Sequence, residues 1–200
     1  AIIANSRAVR DHYLATVPGL APEAVYYVPN GVRLTPAAPA PLRRELGIPA
    51  DAVVAVGVGG LERRKGFDLL VGAVARAADP ELHVVVAGEG PEREALRERA
   101  ESAGVADRVH LLGQRADVAA VLAAGEVFVL SSRSEGMSVA MLEAVTASRP
   151  VVSTDVGGAW DVLAPREGRP AAGWIVPRED EAALAAALAE VAGLLRSEPA

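Results

Sequence analysis

The stretch 131-SSRSEGMSVAMLEAVTASRP-150 decides how the chain is read. It follows the apolar run Val127-Phe128-Val129-Leu130 and leads into Val151-Val152, giving the order strand, loop, helix, strand. Glu135 falls in the loop. Glu143 lies in a segment otherwise apolar on all sides, with Val139, Ala140, Met141 and Leu142 before it and Ala144 and Val145 after it. Such a helix is a buried one, and an unpaired carboxylate there is costly, so Glu143 is expected to reach a hydrogen-bonding partner. A ligand hydroxyl is one candidate. Glu135-Gly136-Met137-Ser138 stands where the helix starts, and a helix start offers unpaired N–H groups and partial positive charge suited to a phosphate. The same residues also admit a structural account, with Ser138 as an N-cap, Gly136 as a turn residue and Glu143 as half of an ion pair.

Outward from this stretch the rhythm repeats. From Asp51, short Val-rich runs bounded by Gly or Pro are predicted as strands near Val53–Val58, Leu82–Ala87, Val109–Leu112, Val127–Leu130, Val151–Ser153 and Trp174–Val176. Helices are predicted near Phe67–Ala77, Glu92–Ala103, Asp117–Ala124 and Val139–Ala147. Alternation of this kind predicts an α/β fold, a Rossmann-like doubly wound parallel sheet covered on both faces. A final helix, about Glu179 to Leu195, carries Leu184, Leu188, Val191 and Leu195 on one stripe. Before Asp51 come a strand at residues 1–4, a helix capped by Asn5-Ser6 and running to about Ala15, a strand at Val25–Val28 and a turn at Pro29-Asn30-Gly31-Val32. No partner strand follows that turn. The Pro/Ala stretch from Pro36 to Pro41 reads instead as a linker. The domain reading is therefore residues 1–35, a linker and lead-in helix at 36–50, and the sheet domain with its amphipathic C-terminal helix at 51–200.

Composition narrows the function classes. A 51% hydrophobic and 23% charged chain describes a globular domain with a sizeable core. The formal charge of −6 offers no global basic field for nucleic acid or an acidic membrane, so any anion site must be local. Without cysteine there is neither a disulfide framework nor a Cys-based metal site. His12, His83 and His110 show no ligand spacing and read as structural or surface residues; no metal is implied. No run is long enough to span a bilayer and no signal-type segment opens the chain, which predicts a cytoplasmic protein. The start on an apolar run without Met suggests a piece of something larger.

Two further loops follow strands. Gly57-Val58-Gly59-Gly60-Leu61-Glu62-Arg63-Arg64-Lys65-Gly66 lets backbone approach a ligand and supplies cations, although three adjacent cations are also commonly a solvated run. Glu62 stands where a dinucleotide fingerprint needs glycine, and the Gly-Lys-Ser/Thr of a P-loop is absent. Gly88-Glu89-Gly90-Pro91 ends the next strand.

Glu135, its Gly-rich turn and Glu143 eight positions later resemble the E-x7-E motif of retaining glycosyltransferases with the GT-B fold, a family that includes glycogen synthases and many mannosyltransferases. The Gly57–Gly66 loop is similar to that family's G-R-L-x-x-x-K-G element, with Lys65 at the Lys position and Gly60 where Arg is expected. Gly88 to Pro91 matches its G-x-G-P element, followed by the strand and turn Arg108 to Gly113. Thr154 to Gly158 and Gly173 to Pro177 match in order, and Ser148 replaces a Gly common before Arg149-Pro150. The resemblance covers about Asp51 to Leu195, while residues 1–32 resemble the end of the family's first domain and the crossover from it.

The resemblance implies transfer of a sugar from a nucleotide diphosphate sugar to an acceptor hydroxyl with retained configuration, with neither metal nor cofactor. Its implied catalytic residues are Glu135, which meets the donor sugar, and Lys65, which clamps the diphosphate. Gly59, Gly60, Arg64 and the amides of Gly136, Met137, Ser138 and Val139 complete the diphosphate and sugar site. Glu143 meets the ribose, and Gly88, Gly113, Gln114 and Arg115 neighbour the base. The partners implied are the nucleotide-sugar donor and a missing N-terminal acceptor domain, through which alone a peripheral membrane association would arise; no nucleic acid is expected. Without that domain the chain should transfer little or nothing, and part of its C-terminal stripe would be exposed and promote self-association. Two other classes stay open: a non-catalytic nucleotide-binding or interaction module, which Gly60 favours, and an NAD-dependent oxidoreductase, which Glu62 disfavours.

Overall fold

Alternation along the strands builds the core. The computed structural model describes residues 1–33, 35, 37–165 and 171–197. In β3 (Val53–Val58) Val53 and Ala55 point to one face and Val54 and Val56 to the other. The same division runs through β4 (Leu82–Ala87) and β6 (Val127–Leu130), where Phe128 is fully buried. Strands apolar on both faces must be covered on both, as parallel strands are. With β5 (Val109–Gly113), β7 (Val151–Thr154) and β8 (Gly173–Val176) they form one six-stranded parallel sheet in the order β5-β4-β3-β6-β7-β8.

Before the sheet lie β1 (Ile2–Ala4), α1 (Arg7–Thr16) and β2 (Val25–Tyr27), with β1 and β2 paired in parallel. The helices of the sheet domain divide between two faces. One carries α3 (Phe67–Ala77), α4 (Arg93–Ser102) and α8 (Glu181–Ser197). The other carries α2 (Leu42–Leu46), α5 (Val118–Ala124), α6 (Val139–Thr146) and α7 (Ala159–Leu163). Leu184, Leu188 and Val191 of α8 are buried in the core shared with α3, and Leu195 packs partly buried against it. The expected exposure of this stripe is thus confined to its flank, where Leu194 is exposed.

Most element bounds differ from the sequence reading by one or two residues. The helix α7 occupies what reads as loop after Gly157-Gly158. α8 begins at Glu181 rather than Glu179, because Glu179 has a left-handed backbone and Asp180 caps the helix, its Oδ1 accepting from Ala183 N at 2.9 Å. β2 ends at Tyr27, one residue short of Val28. Pro36, the start of the expected linker, lies outside the described residues; beyond it, α2 buries Leu42 on the α5 side of the sheet.

Candidate functional site

The chain runs from β3 to β4 and β5 on one side, then returns to β6 on the other side of β3. The loops after β3 and β6 therefore diverge at the carboxyl end of the sheet. A crevice at such a switch point is where open α/β sheets bind ligands. The loop after β3 closes with a 3₁₀ turn, Arg63–Lys65, which delivers Lys65, and the loop after β6 delivers Glu135. Lys65 Nζ donates to Glu135 Oε1, Ser132 Oγ donates to the same oxygen at 3.0 Å, and Arg64 Nη1 stands 4.0 Å from it. The Lys65 and Glu135 side chains are 14% and 11% exposed, so this is a sheltered pair that still meets solvent. Every polar contact is on Oε1, which leaves Oε2 without a partner among the described residues.

Beside this pair the amides of Gly136, Met137, Ser138 and Val139 donate no hydrogen bond among the described residues. Ser138 caps α6, its Oγ accepting from Met141 N at 3.3 Å, so the capping role and an anion-binding helix start coexist. The loop is braced from three directions. Asn30 Nδ2 donates to Met137 O at 3.2 Å, and Thr154 Oγ1 donates to Ser132 O at 2.5 Å. Gly157 lies so close beneath it that a Cβ there would sit 2.0 Å from Glu135 O. Thr154 to Gly158 thus shape the loop.

The Glu143 side chain makes no hydrogen bond and no ion pair among the described residues, which removes the structural ion-pair account. Burial pushes its carboxyl above the usual range. A half-buried carboxylate without a protein partner suits a ligand hydroxyl.

Next to the pair, a cleft of about 320 Å³ is lined by Gly59, Gly60, Gly88, Gln114 and Arg115 among others. The structure thereby brings together Gly59 and Gly60, two of the glycines expected at the diphosphate, with Gly88, Gln114 and Arg115, three of the four residues expected at the base. Gly113 stands behind them, its carbonyl accepting from Gly88 N at 2.8 Å. Arg115 is held by Asp117 at 2.7 Å. Where Gly60 replaces the expected arginine, Arg64 is the neighbouring cation at the crevice, tethered by Glu62 at 2.7 Å, whereas Arg63 offers its carbonyl to Arg133. Sequence reasoning missed Arg133, Asn30 and Ser132. A cation two residues before Glu135 was a usable signal for Arg133; nothing local pointed to Asn30.

A doubly wound sheet with a cation and a carboxylate paired at its switch point defines an α/β domain with a candidate ligand crevice there, and its fold matches part of the GT-B glycosyltransferase structures. The crystal structure of Anabaena HepE in complex with UDP and glucose superposes with a TM-score of 0.79 at 24% identity, over 98% of this chain and 57% of that one. The chain belongs to the glycosyl transferases group 1 family, whose model matches residues 52–193. It is 40% identical over 148 residues to a human phosphatidylinositol N-acetylglucosaminyltransferase protein, covering 72% of this chain and 30% of that relative. To the alpha-maltose-1-phosphate synthase of Mycolicibacterium smegmatis it is 33% identical, over 100% of this chain and 54% of the relative. The chain thus spans less than two thirds of either relative. Among the described residues no helix is long and apolar enough to cross a membrane.

Proposed function

We propose that this chain is the donor-binding part of a retaining glycosyltransferase that takes its sugar from a nucleoside diphosphate, with a uridine diphosphate sugar as the first donor to test. The observation that carries the reading is the Lys65–Glu135 pair lying beside the amides of Gly136 to Val139, which donate to no described residue. Breaking the bond between sugar and diphosphate builds negative charge on the leaving phosphate. Lys65, Arg64 and the fixed amides are positioned before the reaction to stabilise that charge. Glu135 Oε2 is available for a sugar hydroxyl and Glu143 for the ribose; holding the sugar in place is worth rate by itself. The UDP and glucose bound by HepE support a nucleotide sugar here. The relatives are glycosyltransferases, which disfavours a non-catalytic module.

Retention, independence of metal, a cytoplasmic location and a separate acceptor-binding domain belong to the same proposal. The direct test is calorimetric titration of UDP, GDP, ADP and NAD into the chain and its Lys65→Ala and Glu143→Ala variants. Binding of one nucleoside diphosphate, weakened in both variants and unaffected by EDTA, is the expected result. NAD binding alone would overturn the proposal in favour of an oxidoreductase.

A further inference from the structure

Apart from the Lys65–Glu135 pair itself, the loops that carry these two residues are joined by a side chain that touches neither of them, Arg133. Arg133 is two residues before Glu135. Its main-chain N–H donates to Arg64 O at 2.8 Å, and its guanidinium Nη1 donates to Arg63 O at 2.7 Å, so it grips the 3₁₀ turn that ends in Lys65. Nη1 and Nη2 also form a bidentate pair with Asp68 in the first turn of α3, at 2.7 and 2.8 Å. Nε and Nη2 form a second with Glu179 ahead of α8, at 2.6 and 3.2 Å. A guanidinium has five N–H donors, and these contacts use all of them. Beside these and the Lys65–Glu135 pair itself, with Arg64 near the same carboxylate oxygen, Ser131 Oγ donates to Lys65 O at 3.1 Å. Glu179 keeps a left-handed backbone, φ 58°, a conformation that favours glycine, at the position where its carboxylate completes the clamp.

We infer that Arg133 is the positioning residue that sets the separation of Lys65 and Glu135. It fixes the turn on one side of the crevice and the loop on the other with a rigid planar fork, which a lysine or a neutral side chain cannot reproduce. Hydrogen bonding to Asp68 and Glu179 raises the guanidinium pKa further above its usual value, in keeping with a fully engaged charge. The consequence for sugar transfer rests on the donor-site reading; the positioning itself does not.

The test uses the fact that Lys65 is the only lysine of the chain. Labelling with ¹⁵N-lysine therefore gives a single ammonium signal, observed without any nucleotide. In the unsubstituted chain that signal is expected to be protected from hydrogen exchange by the bond to Glu135. In Arg133→Gln it should exchange about tenfold faster, the factor for losing one charge-assisted hydrogen bond of ordinary strength, while the amide spectrum of the sheet is unchanged. Asp68→Asn and Glu179→Gln each remove one arm and should fall between; they carry the test if Arg133→Gln does not fold. Unchanged lysine exchange in the folded variants would overturn the inference. Failure of the unsubstituted chain to bind any nucleoside diphosphate would instead overturn the proposed function and leave the exchange result standing.

Discussion

Lys65 and Glu135 are 70 residues apart in the chain and hydrogen-bonded across the crevice between β3 and β6. Their side chains are largely withdrawn from water, so removing either leaves the other charge poorly solvated. Lys65→Ala and Glu135→Ala should each cost about 2 kcal/mol of stability, and the double variant should cost at least ~1 kcal/mol less than their sum. Urea denaturation of the four proteins measures this. Strict additivity would mean that the pair contributes no mutual stabilisation.

Glu143 illustrates a conflict between stability and binding. Its folded-state pKa is raised by burial, so the charged form is disfavoured by folding, and stability falls as pH rises through that pKa. Glu143→Gln should therefore melt roughly 1–3 °C higher at neutral pH, the size of shift given by about 1 kcal/mol or less in a chain of this length. The same variant should bind a nucleoside diphosphate more weakly. A lower melting temperature would show that Glu143 has a structural partner after all.

Ser148 holds a left-handed backbone, φ 57°, just after α6. A side chain in that conformation is strained, and glycine is not. Ser148→Gly should stabilise the chain by about 0.5–1 kcal/mol, net of the extra entropy that glycine gives the unfolded state. Thermal melts check the sign; destabilisation would mean that the Ser148 side chain makes up for its backbone.

His83 and His110 stack across β4 and β5 with Nδ1 of one 3.2 Å from Nε2 of the other. Burial lowers both pKa values; Arg108 and Arg43 also lower that of His83, against the raising effect of Asp107 and Glu81. His110 is lowered further by His83 and raised by Asp107. Because the folded values lie below that of a free imidazole, the contribution to stability is complete above about pH 6.5 and is lost as pH falls through the folded values. Melting temperature should drop between pH 7 and 5, and less steeply in His83→Leu. Equal slopes in the two proteins would exclude the pair as the cause.

The sequence by itself determined the alternation of strands and helices, because a strand buried on both faces and an amphipathic helix each leave a local apolar period. It also separated Glu135 in a loop from Glu143 in an apolar helix, since that depends only on near neighbours. The five-residue α7 left no readable period, and the true start of α8 was hidden because Glu179 gives its carboxylate to Arg133 instead of continuing a helix. Only the tertiary structure decided that Lys65 meets Glu135, that Arg133 spends every donor on three separate segments, and that the Glu143 side chain is left without a partner among the described residues. Those contacts follow from β6 lying beside β3, a pairing set by the crossover of the chain and by burial summed over the whole sheet, which no short stretch of residues encodes.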